Sequence, residues 1–115
     1  MKIIKLNAID STNSFLKELA LSTTLENCTV VVAKEQKKGR GQQDSNWISE
    51  PLKNLTISAY FCNIDLEISN QKYLNFAISL AIFDVLSNQK TKDLSIKWPN
   101  DILSANKKIC GILIE

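Results

Sequence analysis

The sequence predicts an α+β domain. Hydrophobic periodicity switches to a helical spacing twice along the chain, and the segments between those switches are short, β-branched and bounded by polar turns. The chain has 115 residues of which 44% are apolar, enough for one compact core and too apolar for a disordered chain.

The elements follow in order. KIIKL at 2–6 suits a short strand, and IDSTNSFLKELALS then sets Phe15, Leu16, Leu19 and Ala20 on one helical face, with Asp10 or Ser11 as the cap. CTVVVAKE at 28–35 is continuous and β-branched, as a strand covered on both sides is, and LTISAYF at 55–61 reads as another strand. Between them lie about twenty residues without period, long for a connector and therefore expected to be functional and mobile without ligand. From about Asn70 to Asn88, a run apolar on nearly every side predicts a buried helix packed on the sheet. LSIKWPND at 94–101 is a strand ended by Pro99, and ILSANKKICGILIE reads as a hairpin turning at Asn106–Lys108 whose second strand runs to the last residue. The total is five or six strands and two helices.

Composition excludes several classes of function. Fourteen basic against twelve acidic residues give a net charge of +2, so a generally cationic surface for nucleic acid is not indicated. No run approaches the roughly 20 apolar residues of a membrane span, and MKIIKLNAIDSTN turns polar too early for a signal-peptide core, which points to the cytoplasm. Cys28, Cys62 and Cys110 are widely spaced, include no CxxC and read as small core residues, so no metal site is expected. The absence of histidine removes Ser-His and Cys-His nucleophile pairs. Any chemistry must rest on positioning and charge.

The aperiodic stretch holds KKGRGQQDSNW at 37–47, with two of the three glycines and the single arginine of the chain. Gly39 and Gly41 permit close backbone approach and positive φ, so that successive amides can cradle an anion, and Arg40 adds a planar fork suited to phosphate or carboxylate. Lys34, Lys37 and Lys38 raise the local positive field. A solvated charged loop accounts for the same residues equally well, since a G-x-G alone is weak and no P-loop pattern is present. IDSTN either caps a helix or binds a polar head group, and Lys97 in IKWPND is either a solvated strand-end lysine or one fixed positive charge.

Taken together these stretches resemble the catalytic domain of biotin–protein ligases. IDSTN at 9–13, the glutamine-led GRG loop from Gln36 through Gln42 to Trp47, the Pro turn and NLT strand after it, KWPND at 97–101 and GILIE at 111–115 occur in the order of that family, over essentially the whole chain. The resemblance implies a mixed, mostly antiparallel sheet with helices packed on it, the class II synthetase-like fold of biotin and lipoate ligases, here in truncated form. It implies an enzyme that uses ATP with Mg2+ to make biotinyl-AMP and then passes biotin to a lysine of biotin carboxyl carrier protein.

By the same resemblance, Ser11, Thr12, Asn13 and Gln36 fall in the biotin pocket, and Gly39, Arg40, Gly41 and Gln42 fall in the loop that closes over biotin and the adenylate phosphate. Lys97 matches the lysine at the reacting carboxylate and phosphate, which makes Lys97 and Arg40 the expected catalytic pair. Trp47 is a candidate for stacking beside adenine. Gln42, Gln43 and Asp44 stand where many members are basic. Against the family pattern, neither a DNA-binding domain before residue 9 nor a β-barrel domain after GILIE is expected in this chain, and the apolar terminal strand suggests a homodimer through a sheet edge. Two other readings remain: a non-catalytic biotin- or nucleotide-binding fragment, and a lipoate- or octanoate-attaching relative, whose RRxxGGG loop and His-Asp pair this chain lacks.

Overall fold

Strand β1 (Lys2–Ile9) runs past the apolar stretch KIIKL because it pairs along its length with β2 (Thr29–Gln36), from Lys2 opposite Thr29 to Ile9 opposite Gln36. That pairing is parallel, so the chain must cross over between the two strands, and helix α1 (Thr12–Ser22) lies in the crossover. Strand β5 (Thr56–Tyr60) joins β2 from the other side in antiparallel register, with Ser58 opposite Val31, giving the order β1-β2-β5. The computed structural model describes residues 1–115, and these strands belong to the first of two units, Met1–Ile64; the second is Asp65–Glu115.

Central position explains the β-branched run of β2. Val30, Val31 and Ala33 are buried, and α1 packs on β2 and β5 through Leu16, its buried apolar residue. Phe15, Leu19 and Ala20 of the expected face are half-buried. Ser11 is the cap: its Oγ accepts from the amide of Ser14 at 3.2 Å, while its extended backbone turns the chain into the helix.

The aperiodic stretch is not structureless. β3 (Gly39–Arg40) pairs antiparallel with β4 (Asn46–Trp47), Gly39 opposite Trp47, and a single 3-10 turn at Gln42–Asp44 closes the ribbon. Two-residue strands are too short to leave a period in the sequence.

In the second unit, α2 (Gln71–Asn88) packs on β6 (Leu94–Lys97) and β7 (Asp101–Ser104), and β8 (Lys107–Gly111) completes an antiparallel sheet of order β6-β7-β8. The helix is where the period predicts it, but it is not buried: Ser79 alone is fully covered, while Leu80 and Val85 are 48% and 60% exposed. A helix that is apolar all round is suited to cover on several faces, and within this unit one sheet meets it.

Two expectations about the hairpin change, and its register carries an irregularity. The turn is Ala105–Asn106, both at positive φ, rather than Asn106–Lys108; Ala105 gives no sign of that conformation in the sequence. A bulge between Ile102 and Leu103 shifts the pairing so that these two residues face Cys110 and Lys108. β8 ends at Gly111, because Ile112 instead exchanges hydrogen bonds with Asn100, its amide donating to the Asn100 carbonyl and its carbonyl accepting from Asn100 Nδ2, both at 2.9 Å. The three cysteines are free thiols in half-buried positions, not core residues.

Candidate biotin and adenylate site

The first unit gathers Ser11, Thr12, Asn13 and Gln36, four of the residues marked by sequence. β1 delivers the chain to the cap of α1, and β2, parallel to β1, ends beside it at Gln36. Thr12 donates its amide to Gln36 Oε1 at 2.9 Å, and its hydroxyl donates to the same oxygen at 3.2 Å. Thr12 Oγ1 is 2.8 Å from Ser58 Oγ, and Ser58 donates to Asn13 Oδ1.

Ser11, Thr12 and Ser58 are all buried, so this is a desolvated polar cluster in which each hydroxyl needs a partner. Ser11 caps the helix, while Thr12 and Asn13 face the cluster. A cavity of about 390 Å3 lies at the helix start, lined by Asp10, Ser14, Phe15, Glu18 and Lys37 among others, and shares only Ser11 with the four.

The GRG ribbon is tied to this helix start. The amides of Lys37 and Lys38 donate to the carbonyls of Ile9 and Asp10 at 2.9 and 2.8 Å, extending the β1–β2 pairing by two residues. Arg40 Nη2 donates to Ser14 Oγ at 3.1 Å. The Lys38–Asp10 ion pair at 3.4 Å is exposed on both sides and adds little.

The expected amide cradle differs. No glycine takes positive φ, and the Gly41 amide is committed to the Ser45 carbonyl at 2.7 Å. The ribbon thus presents the guanidinium of Arg40, bonded to Ser14, rather than a row of free amides. Gly39 is required by close approach instead: a Cβ there would stand 2.5 Å from both Gln36 Nε2 and the Trp47 carbonyl oxygen. At Gly41 the obstacle is the hydroxyl of Ser45, which can rotate away. Gln42 opens the exposed 3-10 turn, and Trp47 is half-buried in β4.

Lys97 lies in the second unit, exposed at the end of β6 with Asp101 as its cross-strand partner. The turn after it is firmly held. Trp98 and Pro99 are joined by a cis peptide, the Pro99 carbonyl accepts from buried Ser79 at 2.9 Å, and Trp98 meets Phe76 edge to face at 5.2 Å. Asp101 pairs with Lys108 at 2.8 Å. Beside them, burial holds the Cys110 thiol above the usual range; the charge of Asp101 adds to this and Lys108 opposes it.

Sequence reasoning missed Ser58, Ser14 and Ser79. For Ser58 a signal existed: strand alternation puts it on the face of Thr56 and Tyr60, opposite the half-exposed Ile57, so that the inward face of β5 is the polar one.

The sequence profile of the biotin/lipoate A/B protein ligase family matches residues 6–115. Over 110 residues the chain is 32% identical to the bifunctional ligase/repressor BirA of Salmonella typhimurium, covering 96% of this chain and 33% of that protein. Among solved structures, biotin protein ligase from Aquifex aeolicus in complex with biotin and ATP superposes with a TM-score of 0.81 at 32% identity, over 99% of this chain and 46% of the other. The Leishmania major ligase in complex with biotinyl-5-AMP gives 0.79 at 29% identity, over 99% and 51%. This chain thus spans about a third of that curated relative and about half of those solved chains. The fold is the mixed α+β fold of the biotin protein ligases, and the chain belongs to the biotin/lipoate A/B protein ligase family.

Proposed function

We propose that these 115 residues are the N-terminal portion of a biotin–protein ligase catalytic domain, which activates biotin with ATP to biotinyl-5′-AMP and transfers biotin to a lysine of biotin carboxyl carrier protein. The observation that carries this reading is the buried Thr12–Gln36–Ser58–Asn13 cluster with the Arg40 ribbon tied to the same helix start, in a chain similar to ligases solved with biotin, ATP or biotinyl-5-AMP.

The chemistry divides among the residues by type. Ser11, Thr12, Asn13 and Gln36 offer the neutral donors and acceptors that suit a ureido ring. Gly39, Arg40, Gly41 and Gln42 form the flap over the carboxylate and phosphate. A biotin carboxylate oxygen attacks the α-phosphorus of ATP, the bond from that phosphorus to the α,β-bridging oxygen breaks, and pyrophosphate leaves. Two anions must meet for this to happen, so fixed cations at the reacting atoms lower the barrier. Arg40 and Lys97 are assigned that work, Lys97 from its place in KWPND. Trp47 is assigned to the adenine side. In the second step an acceptor lysine amine attacks the anhydride carbonyl and AMP departs.

In this reading Mg2+ would come with the ATP phosphates and offset their charge, since no group of three His, Cys, Asp or Glu side chains stands together to hold a metal of the chain's own. No helix is long and apolar enough to cross a membrane, and three free thiols suit the reducing cytoplasm in which we place the chain. β1, β5, β6 and β8 are sheet edges, through which we propose self-association.

The test is calorimetry with biotin, then ATP, alongside biotin-dependent ATP–pyrophosphate exchange. Binding heat with exchange supports the ligase. Heat without exchange favours the non-catalytic binding fragment, and no heat from either ligand rejects the pocket assignment.

A further inference from the structure

Ser58 stands outside every motif, yet its hydroxyl is the junction of the polar cluster. It joins β5 to two successive residues of the α1 start, Thr12 and Asn13, across 46 and 45 positions of sequence. It is buried, at 6% exposed, so water does not readily substitute for its partners.

Proton counting fixes the direction of the bonds. Gln36 Oε1 must be an oxygen, because the Thr12 backbone N–H that points at it can only donate. The hydroxyls of Thr12 and Ser58 hold one proton each. Ser58 donates its proton to Asn13 Oδ1, so the one Thr12 hydroxyl proton is shared between two acceptors, Ser58 Oγ at 2.8 Å and Gln36 Oε1 at 3.2 Å. The bonds run Thr12 to Ser58 to Asn13, and Ser58 accepts one and donates the other. The Asn13 amide is held with its oxygen toward Ser58, and the Thr12 hydroxyl is held with its proton between Ser58 and Gln36.

We infer that Ser58 is a positioning residue for ligand recognition: it presets the amide orientation of Asn13 and the hydroxyl orientation of Thr12 before biotin arrives. This rests on the biotin-pocket reading and deepens it. A pocket whose polar groups are already oriented does not reorganise on binding, so removing the junction weakens affinity without removing a group that touches the ligand.

The experiment uses the 115-residue chain and its Ser58→Ala and Ser58→Thr variants. Without ligand, NMR of the side-chain amides should show the Asn13 pair shifted and exchanging faster in Ser58→Ala, near its parent behaviour in Ser58→Thr, and the Asn100 pair of the second unit unmoved in both. Titration with biotin should give a Kd raised by about tenfold or more in Ser58→Ala and restored to within about threefold in Ser58→Thr. An Asn13 amide unaltered by Ser58→Ala, or an unaltered Kd where the parent binds, overturns the inference. If the parent does not bind biotin, the biotin reading fails while the unliganded spectra still decide the role of Ser58. Should Ser58→Ala not fold, Ser58→Cys, of similar size and a weak donor, takes its place in the same measurements.

Discussion

The hydroxyl of Ser79 donates to the carbonyl of Pro99 across 2.9 Å, and Ser79 is the fully buried residue of α2. One buried side chain thereby anchors the turn that follows Lys97. Ser79→Ala should lower the stability of the chain by about 1 kcal/mol, the usual worth of such a bond, as a shift in the urea midpoint without a change in m-value.

Gly39 and Gly41 look alike in the sequence and should respond differently to substitution. A Cβ at Gly39 meets the Trp47 backbone oxygen at 2.5 Å, and backbone cannot move aside cheaply, whereas at Gly41 it meets only the Ser45 side chain. Gly39→Ala should displace the ribbon and weaken biotin binding at least about tenfold, while Gly41→Ala stays within about threefold; calorimetry on both variants checks the contrast.

The ribbon should divide in amide exchange. The Lys37 and Lys38 amides extend the β1–β2 pairing and should be protected, while the exposed tip at 42–46 should exchange fast without ligand and slow when biotinyl-AMP is added. Uniform protection of 37–46 in the unliganded chain would contradict the flap role.

Replacing exposed Lys97 with Ala should leave the unfolding transition unchanged and lower adenylation by about 10²-fold in an active parent, the scale for losing one preorganised charge donor. Arg at the same position should recover little, since its fork is broader than an ammonium. Normal pyrophosphate release by Lys97→Ala would refute the assignment.

Cys110 supplies a pH dependence. Burial, helped by the charge of Asp101, disfavours its thiolate and raises its pKa in the fold. A group with a raised folded pKa contributes stability that is full below the unfolded value and is lost as pH rises through the folded one. The chain should therefore lose stability on the alkaline side of the thiol range, and Cys110→Ser should flatten that limb in urea titrations at successive pH values.

The sequence by itself determined what depends on near neighbours in the chain. The helical period of Phe15, Leu16 and Leu19, the cap at Ser11, the β-branched run of β2 and the order of the motifs are all readable because an α-helix and its cap are built from contacts three and four residues apart. Only the tertiary structure decided that β1 and β2 run parallel, that Gly39–Arg40 and Asn46–Trp47 pair as a ribbon about the turn at Gln42–Asp44, that α2 is apolar without being buried, and that Ser58 joins Thr12 to Asn13. Alternation along TISAY marks the face of Ser58 as the inward one but does not name its partners. Its partners lie 45 and 46 residues away, and the bond exists because β5 joins β2 under the start of α1, an arrangement that no window of neighbouring residues contains.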